Sequence, residues 1–169
     1  MTDRIKQLKS TQGVTMTEML LALLLIALVM SFIGGGITVL QNAYTKITLR
    51  AEAQTLLSTV ITAVSSELKN AHNIEQLDGT YWFENTKRGY KMCLYTKDSS
   101  KPIYIKAGNE VGQEVPLFSE KIMTSGLEVT LSRIVYDSEQ KRFTYTIEIK
   151  KGESNVIEQT IKVRPLNGT

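Results

Sequence analysis

One cysteine, one histidine, one tryptophan and three prolines are few for 169 residues, and each scarcity closes off a class of protein. Cys93 alone cannot form an internal disulfide, so the chain is no disulfide-stapled scaffold, and cysteine usage leaves the compartment open. His72 has no histidine to work with, and no HExxH, GxSxG, Cys-His pairing or P-loop occurs. No proline precedes Pro102, so no proline breaks a helix in the first hundred residues. Charge of one sign is also scarce. The formal net charge is +3, of which Arg4, Lys6 and Lys9 against Asp3 give the first 13 residues +2 and leave the remainder +1. No basic surplus marks a nucleic-acid partner. With 42% apolar residues the chain is neither disordered nor low in complexity, and its length suits one ordinary domain.

What the sequence does have is a long apolar run near its start. From Met19 to Ile33 only Ser31 is polar; Gly34, Gly35 and Gly36 follow, then "ITVLQNAY". A membrane helix needs about 20 predominantly apolar residues, and Met19 to Leu40 meets that length without a charge. The basic residues lie before it, which keeps the short N-terminus cytoplasmic and sends the rest outside.

Three readings fit such a segment: a plain N-terminal anchor, a conventional secretory signal cleaved near Gly34 and Gly36, or a special leader cut before the apolar run. Glu18 separates them. It is the only charge between Lys9 and Lys46. A charge at the centre of a membrane helix costs about 2.5–3.5 kcal/mol, less near its edge, and a plain anchor or signal is expected to gain nothing from it. A cut between Gly13 and Val14 would make Glu18 the fifth residue of a new N-terminus, about one helical turn from a free amine. Among parallel helices that carboxylate could pair with a neighbour's amine, making both groups tolerable in an apolar bundle.

The stretch "QGVTMTEMLLALLLIALV" resembles the N-terminal signal of type IV prepilins and type II secretion pseudopilins. The resemblance implies a leader over residues 1–13, a cut after Gly13 by a prepilin peptidase, and N-methylation of Val14, where Phe or Met is usual. Glu18 matches the family's characteristic glutamate, with a role in subunit assembly. Such a protein starts as a single-pass protein of the cytoplasmic (inner) membrane with its head outside, then joins a pilus or pseudopilus. Its partners would be the membrane, the peptidase and other pilins. In that family a helix-breaking proline commonly stands near the position of Gly34–Gly36, where the helix can loosen on assembly. Three glycines, each about 1 kcal/mol worse than alanine in a helix, would serve the same end; close helix packing is the alternative.

Beyond the apolar half-helix (14–40), Leu57, Val60, Ile61, Val64, Leu68 and Ala71 recur at helical spacing, with Tyr44, Ile47 and Ala51 upstream. An amphipathic half-helix is therefore expected over 41–72 and a β-rich head over 73–169. "YWF" (81–83) and "YKMCLYT" (90–96) flank a turn, "PIYIK" (102–106) reads as an edge strand behind Pro102, and 107–126 as a loop. "GLEVTLSRIVY" (126–136), "RFTYTIEIK" (142–150) and "NVIEQTIKV" (155–163) form a three-stranded meander whose middle strand turns Phe143, Tyr145, Ile147 and Ile149 to the core. The fold class is α+β, a long N-terminal helix packed on an antiparallel sheet. That pattern is pilin-like, and closer to a minor pilin of the prepilin-like J or W type than to a compact major pilin.

The head offers little chemistry. His72 is expected at the helix end, where a cation suits the dipole, and Cys93 as a small buried hydrophobe. Asp98, Ser99 and Ser100 read as a turn, and Tyr81, Trp82 and Phe83 as core and sheet surface. Glu110 and Glu114 are the only carboxylates that suggest a metal pair, and weakly. The expectation is a structural filament subunit without enzymatic activity, cofactor, metal, or clear nucleic-acid or small-molecule partner. The alternative is a membrane-anchored or secreted extracytoplasmic binding domain behind a conventional signal.

Overall fold

The computed structural model describes residues 14–108 and 114–166. The chain divides into two units, Met1–Lys46 and Ile47–Thr169. One helix, α1 (Met16–Lys69), supplies the described structure of the first and opens the second. In the first unit the helix buries nothing: Leu24 is 62% exposed, Phe32 74% and Leu40 70%. The N-terminal half of the helix is apolar all round, is covered by none of the described residues, and is long enough to cross a bilayer.

In the second unit the same helix buries Ala53, Leu56, Leu57, Val60, Val64 and Leu68, a stripe at three- and four-residue spacing. The stripe differs from the expected one. Ile61 is half-buried at its margin, Ala53 and Leu56 join it, and Tyr44, Ile47 and Ala51 are exposed. The helix also stops sooner than expected. Asn70 bonds back through its amide to the Glu67 carbonyl (3.2 Å) and through Nδ2 to the Ser66 carbonyl (2.6 Å), the local side-chain competition that ends helices. Ala71 and His72 therefore belong to a strand, not to the helix.

That strand, β1 (Ala71–Leu77), forms a hairpin with β2 (Thr80–Asn85). Asp78 and Gly79 connect them with φ of +48° and +75°, the left-handed pair a type I′ turn requires. β3 (Lys91–Thr96), β4 (Ile103–Ala107) and β5 (Glu114–Pro116) complete a five-stranded antiparallel sheet in sequence order. β4 is thus not the edge. On that side the edge is β5, inside the expected loop, and it carries Pro116. A single 3-10 turn, Glu120–Ile122, follows.

The second sheet centres on β8 (Arg142–Lys151). The expected single strand over 126–136 is broken into β6 (Glu128–Leu131) and β7 (Val135–Asp137), which lie along successive stretches of the same side of β8. At the break Ser132 still exchanges bonds with Thr146, its amide to the carbonyl and its hydroxyl accepting from the amide, both 2.8 Å. β9 (Ser154–Val163) lies on the other side of β8. Phe143, Tyr145, Ile147 and Ile149 of β8 are buried, as their alternation predicts. They join the helix stripe and Phe83, Met92, Leu94, Ile103 and Ile105 of the first sheet in one core. Phe83 and Phe143, centroids 6.0 Å apart, touch across the two sheets. The architecture is α+β: one long helix, apolar in its N-terminal half, and two antiparallel sheets.

Candidate functional site

The N-terminal turn of α1 gives Glu18 a partner within its own chain. Oε2 accepts from the Thr15 amide and from Thr15 Oγ1, both at 2.8 Å, and the Glu18 amide points back to Thr15 Oγ1 at 3.3 Å. This is a capping box, Thr15 at the cap and Glu18 three residues on. It satisfies an orphan amide and places a negative charge at the positive end of the helix. The T-x-x-E spacing of Thr15 and Glu18 signals it in the sequence, and the expectation that an anchor gains nothing from Glu18 has to be corrected. Both side-chain bonds end on Oε2, so Oε1 has no partner among the described residues. Val14, one residue before the cap, is 68% exposed. A cation arriving at this turn would meet an open carboxylate oxygen beside the exposed Val14. Gly13 and the rest of 1–13 lie outside the described residues.

Gly34, Gly35 and Gly36 are helical and exposed, and a Cβ at any of them would meet nothing within 4 Å. Packing within the chain therefore does not require glycine there. Thr38 Oγ1 bonds the Gly34 carbonyl at 3.2 Å, a back-bond of the kind that bends helices.

The other candidates separate in space. His72 lies in β1, with Nε2 3.3 Å from Glu84 Oε2 and Nδ1 3.3 Å from Thr86 Oγ1; it is a hairpin residue and not a helix cap. Cys93 is 3% exposed, and burial pushes its thiol pKa up, away from the reactive thiolate. Glu114 pairs with Lys97 at 3.2 Å; Glu110 lies outside the described residues. The Tyr95 hydroxyl and Lys97 beside it hold the Glu114 carboxyl below its ordinary pKa. Asp98 Oδ1 accepts from the Ser100 amide at 3.1 Å, closing the expected turn. Phe83 is buried, while Tyr81 and Trp82 are half-buried.

A cleft of about 390 Å³ opens where the β1–β2 turn, the end of β3 and the β6–β7 break meet. Much of its polar lining is engaged in structure. Thr96 Oγ1 accepts from the Leu131 amide (3.0 Å), Ser99 Oγ bonds Glu128 (3.1 Å), and Arg133 Nε donates to the Gly79 carbonyl (3.0 Å). No nucleophile–base pair is assembled there among the described residues, and no three of His, Cys, Asp and Glu gather as metal ligands.

The end of α1 is the most heavily bonded polar region. Asn85, 1% exposed, donates Nδ2 to Glu67 Oε2 (2.6 Å) and accepts from the Lys87 and Arg88 amides (2.9 and 3.2 Å). Arg88 forks onto both Glu67 oxygens (2.7 and 3.1 Å), and its guanidinium pKa is raised by that bonding. The Lys69 and Asn70 carbonyls accept from the Leu166 and Thr86 amides (2.8 and 3.0 Å). These groups are matched to one another within the fold, which marks a structural joint. Compared with models of protein families, with curated proteins and with solved structures, the chain matches none.

Proposed function

We propose that this chain is a minor pilin or pseudopilin: a filament subunit cut between Gly13 and Val14 by a prepilin peptidase, N-methylated at Val14, and assembled through its apolar half-helix. The observation that carries this reading is the half-helix itself. It is exposed on every side, and its one carboxylate stands at its first turn with an oxygen to spare. A lone chain gains no core from so much uncovered apolar surface, whereas a bilayer and then a bundle of like helices would cover it. Glu18 would then pair with a neighbour's Val14 amine, and the glycine run would let the helix loosen on assembly. The engaged polar groups of the head fit a structural subunit better than an enzyme.

A second reading has one observation in its favour. The Thr15–Glu18 capping box gives Glu18 a use in any anchored or secreted extracytoplasmic binding domain, with no filament required.

Glu18→Gln separates the two, because glutamine also serves in a capping box and loses only the charge. The filament reading expects normal cleavage with loss of incorporation into sheared filaments, since an amine left unpaired in an apolar bundle costs about 3–5 kcal/mol. Normal incorporation of Glu18→Gln would leave Glu18 as a helix cap. N-terminal analysis of membrane-extracted protein is the companion test: a mature start at Val14 fits the leader peptidase, and a start at Ile37 an ordinary signal peptidase.

A further inference from the structure

The second sheet ends in a long edge strand. β9 pairs with β8 on one side only, and among the described residues its backbone makes no other hydrogen bond. It is ten residues long, contains no proline, and is mostly exposed. Edges of that length are usually blunted by a bulge, a proline or a covering element. The one register shift on this ladder lies near its end, between Ile149 and Lys150. Beside β9 runs an open groove of about 430 Å³. Its helix wall is one flank of α1, with Arg50, Gln54, Leu57 and Ile61; its other wall is Ile157 and Gln159 on the inner face of β9. A strand added at the usual spacing of about 4.8 Å would turn alternate side chains into that groove.

The charges around the edge are incomplete in a matching way. Arg50 lines the groove and makes no ion pair among the described residues. On the outer face Glu158 stands directly opposite Glu148, a like-charge cross-strand pair. Lys150 Nζ goes to Glu148 at 2.8 Å, and Glu158 has no ion pair among the described residues. We propose that the free edge of β9 and this groove form a docking site for one extended segment of a partner protein, with apolar side chains in the groove, an acidic one at Arg50 and a basic one opposite Glu158. Backbone pairing supplies the affinity and the charges select the partner. The proposal does not rest on the filament reading, since it uses neither the leader nor the apolar half-helix.

The test uses the full chain in detergent and a fluorescent peptide about nine residues long. The peptide alternates Val with Thr and Lys and carries Glu at the end that reaches Arg50. Two further versions are N-methylated at alternate amides, one at the Val positions and one at the others. Strand addition hydrogen-bonds through only one alternate set, so one methylated peptide should bind like the parent and the other at least roughly tenfold more weakly. Ser58→Trp fills the groove from an exposed helix position, and Gln159→Lys puts a charge into it. Both should weaken the parent peptide by a similar factor while the melting temperature stays unchanged. Failure of the parent peptide to bind, equal binding of the two methylated peptides, or unaltered binding to Ser58→Trp would overturn the proposal. Each of these readouts is independent of where the N-terminus is cut.

Discussion

Leu25 and Val60 sit on the same helix, yet one is 52% exposed and the other 0%. Around Leu25 every position is apolar, so no face of the helix is distinguished, and none of the described residues covers it. Around Val60 apolar residues keep to one stripe, and that stripe joins residues of both sheets in one core. A helix thus carries two kinds of hydrophobicity: the undirected kind asks for a surrounding medium, and the directed kind asks for a core.

Substitution can break this contrast. The largest effect is expected at Val60→Asp, which places an unpaired charge in the core and should lower stability by about 3–5 kcal/mol; denaturant unfolding of the detergent-extracted chain reads it. Leu25→Asp is the matched change in the other half. It should leave the head's melting unchanged and penalise membrane insertion by about 2.5–3.5 kcal/mol, which membrane fractionation detects. Equal effects on head melting would mean that the two halves are not distinct. Asn85→Ala comes next: Arg88 still holds Glu67, so the change removes one hydrogen bond to Glu67 and the side-chain acceptor of the Lys87 amide, at about 1–1.5 kcal/mol in denaturant unfolding. Gly35→Ala should strengthen the helix by about 1 kcal/mol without moving the head's melting; circular dichroism measures the helix. If loosening at this point serves assembly, the same change should reduce incorporation into filaments. Smallest is the response to acid at Glu114. Its folded pKa is depressed, so its contribution is present above the ordinary carboxylate range and is lost as pH falls through the lowered value. Glu114→Gln should flatten that small part of the pH–stability curve.

The sequence made the elements with sustained periodicity legible: the apolar run, most of the helix stripe, and the alternation from Phe143 to Ile149. It misled where one period ran into another. Ala71 fits the helical spacing after Leu68, so the helix seemed to continue, although Asn70 ends it and Ala71 opens a strand. The Asp78-Gly79 pair, a strong hairpin signal, is the feature of the sequence that locates β1 against that spacing. The stretch 126–136 reads as one strand because nothing in its composition marks the break at Ser132, where the side chain takes over a backbone role. β5 is three residues long and gains its identity from β4, too short for any pattern to announce. At the N-terminus Thr15 and Glu18 spell the capping box, and the same Glu18 also reads as a charge near lipid, so the spacing alone does not rank its local use above its cost.

The joint at the end of α1 has a mechanical consequence. If the chain is held by its apolar half-helix, as the proposed function requires, it would be pulled along α1, and tension entering the head would pass down the buried stripe to the joint. There Asn85, Thr86, Arg88 and Leu166 grip the last turn through separate bonds. Leu166 lies just past β9 in the chain, and Asn85 ends β2. The load is therefore shared between the first sheet and the segment leaving the second. Bonds that share a load must fail together, and a head built this way should resist pulling through slow rupture, a rate set by its unfolding barrier more than by its equilibrium stability.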